Sequence, residues 1–301
     1  MSFERESVEF ESKGTECAGW LYRPDEPEPP VVVLAHGFGG TRRMGLPDFA
    51  ERLASEGFAV LLFDYRGFGD SEGTPRQVVS PGKHVADWNA AVEFARDLEG
   101  VDGDRLGVLG WSFSGGHGLL TAARRDDVSA YAGMVPFTDG PRTLAYVVRQ
   151  QGLGFGLRAT AAGLKDLGRA ATFRSPHYVP LVGQPGEVAP LATPGSEHGY
   201  RAIVPDDLDE EEWNRCAARI LVTIARYRPI TEAGNVDCPA LVVEASDDQL
   251  VPGSTVDALV DALDDVERLR VEGDHFDPYL RPLFDTVADR QVAFFDRHLR
   301  S

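Results

Sequence analysis

The chain contains few cysteines and no long apolar run. Its three cysteines, Cys17, Cys216 and Cys238, form no CxxC pair and lack the Cys/His spacing of a zinc site. The sequence therefore predicts neither a disulfide framework nor a metal ion. The longest apolar run, 58–63, is too short to span a bilayer, so no membrane-spanning segment is expected. The opening segment, MSFERESVEFES, lacks the apolar core of a signal peptide, which predicts a cytoplasmic protein.

Positive charge is scarce, and lysine is the scarcer base. The 30 Lys and Arg residues face 48 Asp and Glu residues, giving a formal net charge of −18, and only Lys13, Lys83 and Lys165 are lysines. A field of this sign repels nucleic acid and anionic membrane, so neither is expected as a partner. A solubility margin with arginine-rich codon usage is one interpretation of the acidity. A second interpretation is adaptation to a saline, halophilic cytoplasm, and the combination of many carboxylates with few lysines favours it.

Apolar strands and amphipathic helices alternate along most of the chain. An antiparallel hairpin is predicted around Gly14. After it, apolar runs predict strands at PVVVLA, 58–67, 105–112, 128–137, 239–246 and 266–273, and helical spacing predicts helices at 45–56, 84–98, 115–125, 255–263 and 280–299. This alternation predicts an α/β fold with a doubly wound, mostly parallel sheet and right-handed crossovers. Functional residues should then follow strand ends, where such sheets bind ligands.

The alternation is interrupted between residues 138 and 230. This stretch has helix-like pieces at 143–169 and 207–226 and a Pro/Gly-rich loop at about 175–205. It follows the fourth parallel strand and contains apolar helices, so it is predicted to cover the strand ends as a helical cap rather than to fold as a separate domain. The predicted organisation is a core formed by 1–137 and 231–301, with a cap at 138–230.

A predicted strand passes directly into a helix at GWSFSGG. A turn this tight needs small residues two positions before and after its tip, which Gly110 and Ser114 supply for Ser112. The tip is held in a strained backbone conformation that projects its side chain into the crevice. Nearby amides at the helix start can stabilise a developing oxyanion. Ser114 is the alternative nucleophile, but its use would move the tip into the helix.

This segment resembles the nucleophile elbow of the α/β-hydrolase superfamily, G-x-S-x-G, with Ser114 in place of the second glycine. The resemblance extends over roughly 30–137 and 236–300 and implies a Ser-His-Asp triad. In the superfamily the acid precedes Val-Pro by two residues, which selects Asp248 in ASDDQLVP over its neighbour Asp247.

The same resemblance implies the remaining site residues. Asp139, past the fourth strand, is the acid position used by some relatives. His275, in G-x-H-F after the final strand, is the implied base. The loop HGFGG at 36–40 resembles the superfamily's oxyanion loop, which implies the backbone amides of Phe38 and Phe113 as donors. Possible substrate-lining residues are His36, Tyr65, Trp111 and His117.

The implied activity is that of a serine hydrolase, a carboxylesterase acting through an acyl-enzyme on Ser112 without a metal or cofactor. The expected partner is a small-molecule ester or short peptide. Apolar residues of the predicted cap suggest a small to medium acyl group; they are Leu144, Val147, Val148, Leu153, Phe155 and Leu157.

Three alternatives remain open at this point. A prolyl-type aminopeptidase or dipeptidyl peptidase would need a cap carboxylate, for which Glu187, Glu197 and Glu232 are available. Acyl transfer to an acceptor other than water is chemically adjacent. A non-catalytic binding protein of the same fold is the third alternative. The oligomeric state is not indicated by the sequence.

Overall fold

The computed structural model describes residues 1–300 and begins with an antiparallel hairpin. Strands β1 (Phe3–Ser12) and β2 (Thr15–Pro24) pair along their whole length. The two residues between them, Lys13 and Gly14, have φ values of 51° and 76°. Positive φ at both central positions is the geometry of the two-residue turn that matches strand twist. The hairpin predicted around Gly14 is therefore confirmed.

The hairpin extends a mostly parallel sheet of eight strands. Six further strands complete this sheet: β3 (Pro30–Ala35), β4 (Ala59–Phe63), β5 (Asp102–Trp111), β6 (Ala130–Met134), β9 (Ala240–Ala245) and β10 (Val266–Val271). Two short strands, β7 (Tyr178–Val179) and β8 (Cys216–Ala217), lie outside it. The order across the sheet is β1-β2-β4-β3-β5-β6-β9-β10, and only the β1–β2 and β2–β4 pairs are antiparallel. Strands β7 and β8 form a separate antiparallel pair. The predicted α/β fold with a mostly parallel sheet is confirmed.

Helices cover both faces of the sheet. They are α1 (Pro47–Ser55), α2 (Pro81–Arg96), α3 (Phe113–Ala122), α4 (Gly140–Gln151), α5 (Leu153–Ala171), α6 (Ser196–Ile203), α7 (Glu210–Trp213), α8 (Ile220–Thr223), α9 (Gly253–Ala262) and α10 (Leu283–Leu299). Alternate residues of β3 enter opposite cores, because successive side chains of a strand point to opposite faces. Val31 packs in the layer that contains α2 and α3, whereas Val32 packs in the layer that contains α1 and α10.

The segment between β6 and β9 differs from its predicted secondary structure. The helix-like stretch predicted at 143–169 forms two helices, because Gly152, with φ of 84°, ends α4 and begins α5. The helix-like stretch predicted at 207–226 is only partly helical: it contains α7, β8, α8 and a 3-10 turn, Ile224–Arg226. Helix α6 lies within the Pro/Gly-rich loop that was predicted at about 175–205. Throughout residues 1–300, no helix combines the length and apolarity needed to cross a membrane.

Candidate active site

Ser112 lies at the junction of β5 and α3 with a strained backbone. Its φ and ψ are 54° and −117°, a region that side-chain-bearing residues rarely adopt and that costs about 1–3 kcal/mol. The turn is tight enough that a side chain at Gly110 would collide with the carbonyl oxygen of Ser114. This confirms the sequence expectation of a small residue two positions before the tip. The Ser112 side chain is partly exposed at the carboxyl edge of the sheet.

Hydrogen bonds join Ser112 to two residues from distant parts of the chain. His275 Nε2 lies 2.9 Å from Ser112 Oγ, and His275 Nδ1 lies 2.6 Å from Asp248 Oδ2. The other carboxylate oxygen of Asp248 accepts from the amides of Leu250 and Val251 at 2.8 and 2.7 Å. Both His275 and Asp248 are buried. With the proton on Nδ1, the imidazole is oriented so that Nε2 can accept the hydroxyl proton of the serine.

The alternative nucleophile and acids lie elsewhere. Ser114 is fully buried within α3, and its Oγ accepts a hydrogen bond from Tyr65 Oη at 3.0 Å. Asp247 is exposed and accepts from the hydroxyl of Ser246. Asp139 caps α4 through the amide of Arg142 at 3.2 Å. None of the three is hydrogen-bonded to His275.

Two backbone amides beside Ser112 are free to donate. Phe113 is the first residue of α3, so its N–H has no partner within the helix. The 36–40 loop passes close by, and a Cβ on Gly37 would lie 3.3 Å from Ser112 Cβ. Within the described residues, no acceptor is hydrogen-bonded to the amide of Phe38 or of Phe113. The loop is held in place by Tyr200 Oη, which donates to the carbonyl of Phe38 at 3.2 Å.

His36 lies beneath this loop as a neutral ring. Its Nδ1 is 3.0 Å from the carbonyl of Gly37. Burial lowers the pKa of His36 to about 4, and the nearby carboxylate of Asp64 only partly opposes this. The ring braces the loop and also borders a small cavity next to Ser112.

The other candidate lining residues, Tyr65, Trp111 and His117, do not line either of the two cavities next to Ser112. Tyr65 is fully buried, and its hydroxyl donates a hydrogen bond to Ser114 Oγ. Trp111 points to the opposite side of β5, into the layer of α1 and α10, because neighbouring strand residues alternate. His117 faces the interior of the α2–α3 layer, where its Nδ1 lies 2.5 Å from Tyr227 Oη. Burial lowers the pKa of His117 to about 3, so this ring is also neutral.

A large apolar cavity opens from Ser112 toward the segment between β6 and β9. Its wall is apolar apart from two side chains. Helix α4 contributes Thr143, Leu144 and Val147 to its wall, and α5 contributes Phe155 and Ala159. A predominantly apolar lining with few polar groups is typical of small-molecule pockets. We call this space the larger cavity.

Sequence reasoning identified only part of this wall. Val148, Leu153 and Leu157 do not line the cavity, and the last two are 80% and 73% exposed. Thr143 was missed, because a single threonine in a helix carries no local signal of a cavity. Ile224 was missed as well, since it reaches the cavity from a 3-10 turn where a helix was expected.

A smaller cavity lies on the other side of Ser112. His275 lines this cavity but not the larger one. Met44 and Tyr279 are among its walls. Among residues 1–300, no group of three or more His, Cys, Asp or Glu side chains is arranged to hold a metal ion.

Known proteins resemble the chain in sequence and fold. Residues 30–173 match the family model of the α/β-hydrolase fold. The quorum-quenching protein AidA of Acinetobacter baumannii is 36% identical over 291 residues, covering 96% of this chain and 94% of that protein. The thiohydrolase aneE of Aspergillus aculeatus is 28% identical, covering 93% of this chain and 89% of its own.

The fold is also shared with solved structures. DcsB, in complex with its substrate analogue, superposes with a TM-score of 0.83 at 23% identity, over 99% of this chain and 100% of that one. At this identity the likeness concerns the fold alone. Together with the identity to AidA over nearly the whole length of both proteins, the sheet order and the matched segment show that this chain belongs to the α/β-hydrolase family.

Proposed function

We propose that this protein is a serine hydrolase that cleaves a carboxylic ester with a small to medium acyl group. The observation that carries the proposal is the hydrogen-bonded series from Ser112 through His275 to Asp248, at the mouth of an apolar cavity. A thioester presents the same carbonyl carbon to the serine. The relative named thiohydrolase therefore supports testing thioesters alongside oxygen esters.

The mechanism we propose proceeds through an acyl-enzyme. Ser112 Oγ attacks the acyl carbon while His275 Nε2 takes its proton, and the charge of Asp248 stabilises the imidazolium. The free amides of Phe38 and Phe113 receive the oxyanion, and one such donor contributes about 3–4 kcal/mol. The tetrahedral intermediate collapses as His275 returns the proton to the leaving oxygen or sulfur. Water activated by the same ring then releases the acid.

The two cavities suggest where each part of the substrate lies. The leaving group must receive its proton from His275 Nε2, and only the smaller cavity includes this residue. We therefore assign the leaving group to the smaller cavity and the acyl chain to the larger one. A hydrolytic water, or another acyl acceptor, would enter by the smaller cavity.

We further propose that residues 138–230 act as a cap, as their sequence predicts. Their helices α4, α5 and α8 supply much of the larger cavity's wall. Buried Asp166 ties α5 to α8 by accepting from the amide and Nε of Arg219 at 2.9 and 2.7 Å. Much of the segment's apolar surface, including Leu181 and Ile220, joins the main core. This continuity supports a cap rather than an independent domain.

The peptidase alternative lacks an amine-binding carboxylate at the site. Glu232 pairs with Arg124 at 2.6 Å, and Glu197 pairs with Arg201 at 3.1 Å. Neither of these, nor Glu187, lines either cavity that contains Ser112. We therefore favour an ester over a peptide with a free amino terminus.

Hydrolysis of p-nitrophenyl esters from acetate to octanoate tests the proposal. We expect activity in the native protein, none in Ser112→Ala, and near-native activity in the matched control Ser114→Ala. The series is run at low and at molar salt, because a requirement for salt would support the saline interpretation of the −18 charge. A folded protein inactive on every ester and thioester, or an active Ser112→Ala variant, would overturn the proposal.

A further inference from the structure

The wall of the larger cavity contains one polar group that the proposed mechanism does not use. Of its seventeen lining residues, only Ser112 and Thr143 carry a polar side-chain atom. Thr143 is 7% exposed, and its Oγ1 has no hydrogen-bond partner within the described part of the chain. A hydroxyl buried without a partner loses its bonds to water without replacement, so such groups are uncommon in native proteins.

Other helical threonines of this protein satisfy their hydroxyls within the helix. Thr121 Oγ1 donates to the carbonyl of His117 at 2.9 Å, and Thr223 Oγ1 donates to that of Arg219 at 3.0 Å. This bond to the preceding turn is the ordinary partner of a threonine in a helix. Thr143 stands four residues after Asp139 but does not use that carbonyl for its hydroxyl. Thr143 thus lines the cavity while its hydroxyl has no partner from the described residues.

Helix α4 holds Thr143 at a defined place relative to the proposed triad. Tyr146 Oη donates to the carbonyl of Asp248 at 3.3 Å, and Gln150 Nε2 donates to that of Gln249 at 3.3 Å. Both bonds attach the helix to the loop that carries the proposed catalytic acid. The Thr143 hydroxyl is thus a positioned group on a rigid element, which is what selective recognition of a polar atom requires.

We propose that the preferred acyl group carries an oxygen along its chain, as a keto or hydroxyl group, and that Thr143 Oγ1 hydrogen-bonds to it. The proposal rests on the proposed hydrolase function and on the assignment of the acyl chain to the larger cavity. A threonine hydroxyl donates to a keto oxygen and can either donate to or accept from a hydroxyl. A plain alkyl chain leaves Oγ1 unpaired, so the site discriminates against it. Thr143 is therefore a specificity-determining residue for the acyl group.

Thioesters of N-acetylcysteamine test this directly. The plain octanoyl thioester is compared with octanoyl thioesters that carry a keto group at carbon 3, 5 or 7, and the released thiol is measured. We expect at least one keto chain to exceed the plain chain in kcat/KM by roughly fivefold to tenfold, the value of one net hydrogen bond. The hydroxyl analogue at the best position then shows whether Oγ1 serves keto oxygens alone or both groups.

Variants of two threonines assign the preference. Thr143→Val removes the hydroxyl at constant shape and should abolish the preference, while Thr143→Ser should retain it. Thr138→Val is the matched control: Thr138 is fully buried, its Oγ1 is also without a partner, and it lines neither cavity that contains Ser112. This control should keep the native ratio. If Thr143→Val does not fold, Thr143→Ala takes its place.

Three outcomes would overturn the proposal: no keto or hydroxyl chain preferred over the plain one, an unchanged preference in Thr143→Val, or the same loss in Thr138→Val. These are distinct from failure of the hydrolase function. In that case neither plain nor oxygenated thioesters are cleaved, and a fluorophosphonate does not label Ser112.

Discussion

Filling the larger cavity should shorten the acyl chains that this protein accepts. Ala159 lies on the inner side of α5, is 5% exposed and lines that cavity. Ala159→Leu adds three carbon atoms at this position. If the acyl chain occupies the larger cavity, these atoms take the space of its distal methylenes.

The size of the effect follows from the burial of methylenes. Each methylene moved from water into an apolar environment contributes about 0.8 kcal/mol. Four additional methylenes therefore favour p-nitrophenyl octanoate over butyrate by up to about 3 kcal/mol in kcat/KM. Loss of room for three of them removes roughly 2.4 kcal/mol of this preference, which is about 50-fold.

The assay is the ratio of kcat/KM for octanoate to that for butyrate, measured for the native protein and two variants. Ala161→Leu is the matched control, because Ala161 is exposed on the same helix and lines neither cavity that contains Ser112. We expect the ratio to fall in Ala159→Leu and to stay native in Ala161→Leu. An unchanged ratio in a folded Ala159→Leu variant, or equal losses for both esters, would refute the assignment of the acyl chain to this cavity.

Three further predictions concern the acid, the buried histidines and the elbow. Asp248→Asn removes the charge that stabilises an imidazolium, so kcat for ester hydrolysis should fall about 10⁴-fold. Stability measured by urea unfolding should be lower at pH 5 than at pH 7. Burial lowers the pKa of His36 to about 4 and that of His117 to about 3, so both stay neutral in the fold but gain a proton below about pH 6.5 when unfolded. The free energy of unfolding therefore decreases as the pH falls below about 6.5, by up to about 2 kcal/mol for each histidine at pH 5. Gly110→Ala should destabilise the protein by about 3 kcal/mol in thermal unfolding, because its Cβ would collide with backbone. Gly82→Ala, where nothing lies within 4 Å of an added Cβ, should be neutral or slightly stabilising.

Each of these predictions has a result that would contradict it. A native kcat in the Asn variant would remove the carboxylate from the proposed mechanism. Equal stability at the two pH values would mean that the buried rings can be protonated in the fold. A native melting temperature in the Gly110 variant would show that the elbow backbone can relax.

Much of the core was predictable because local patterns and global fold agree there. Strand alternation and helical spacing identified the parallel strands and the helices on both faces. Ser112, Asp248 and His275 each follow the carboxyl end of a strand, and parallel strands bring these ends to one edge. Their proximity in the structure follows from this topology, whereas their catalytic role is our proposal.

The segment between β6 and β9 was less predictable, because distant contacts determine its local structure. Asn214 lies at the C-terminal end of α7. Its side-chain oxygen Oδ1 accepts hydrogen bonds from the amides of Leu181 and Val182 at 2.9 Å each. Buried Asp166 similarly joins separate elements. The local pattern alone predicts a helix-like stretch over 207–226. The structure has several short elements there because long-range bonds of this kind outweigh helical periodicity.

Two kinds of cavity residue show the same limit. Periodicity could not distinguish the inner from the outer apolar residues of α5, and Leu157 is exposed where Phe155 lines the cavity. A single polar residue such as Thr143 becomes informative only when its missing hydrogen bond is seen.

Covalent labelling with a fluorophosphonate, followed by mass spectrometry of the peptide, tests the central claim most directly. Ser112 and Ser114 lie in one arginine-to-arginine peptide, 106–124, and fragmentation distinguishes an adduct on one from an adduct on the other. The account predicts a single adduct on Ser112, retained in Ser114→Ala and absent in Ser112→Ala. An adduct on Ser114, or no adduct on a folded native protein, would contradict it.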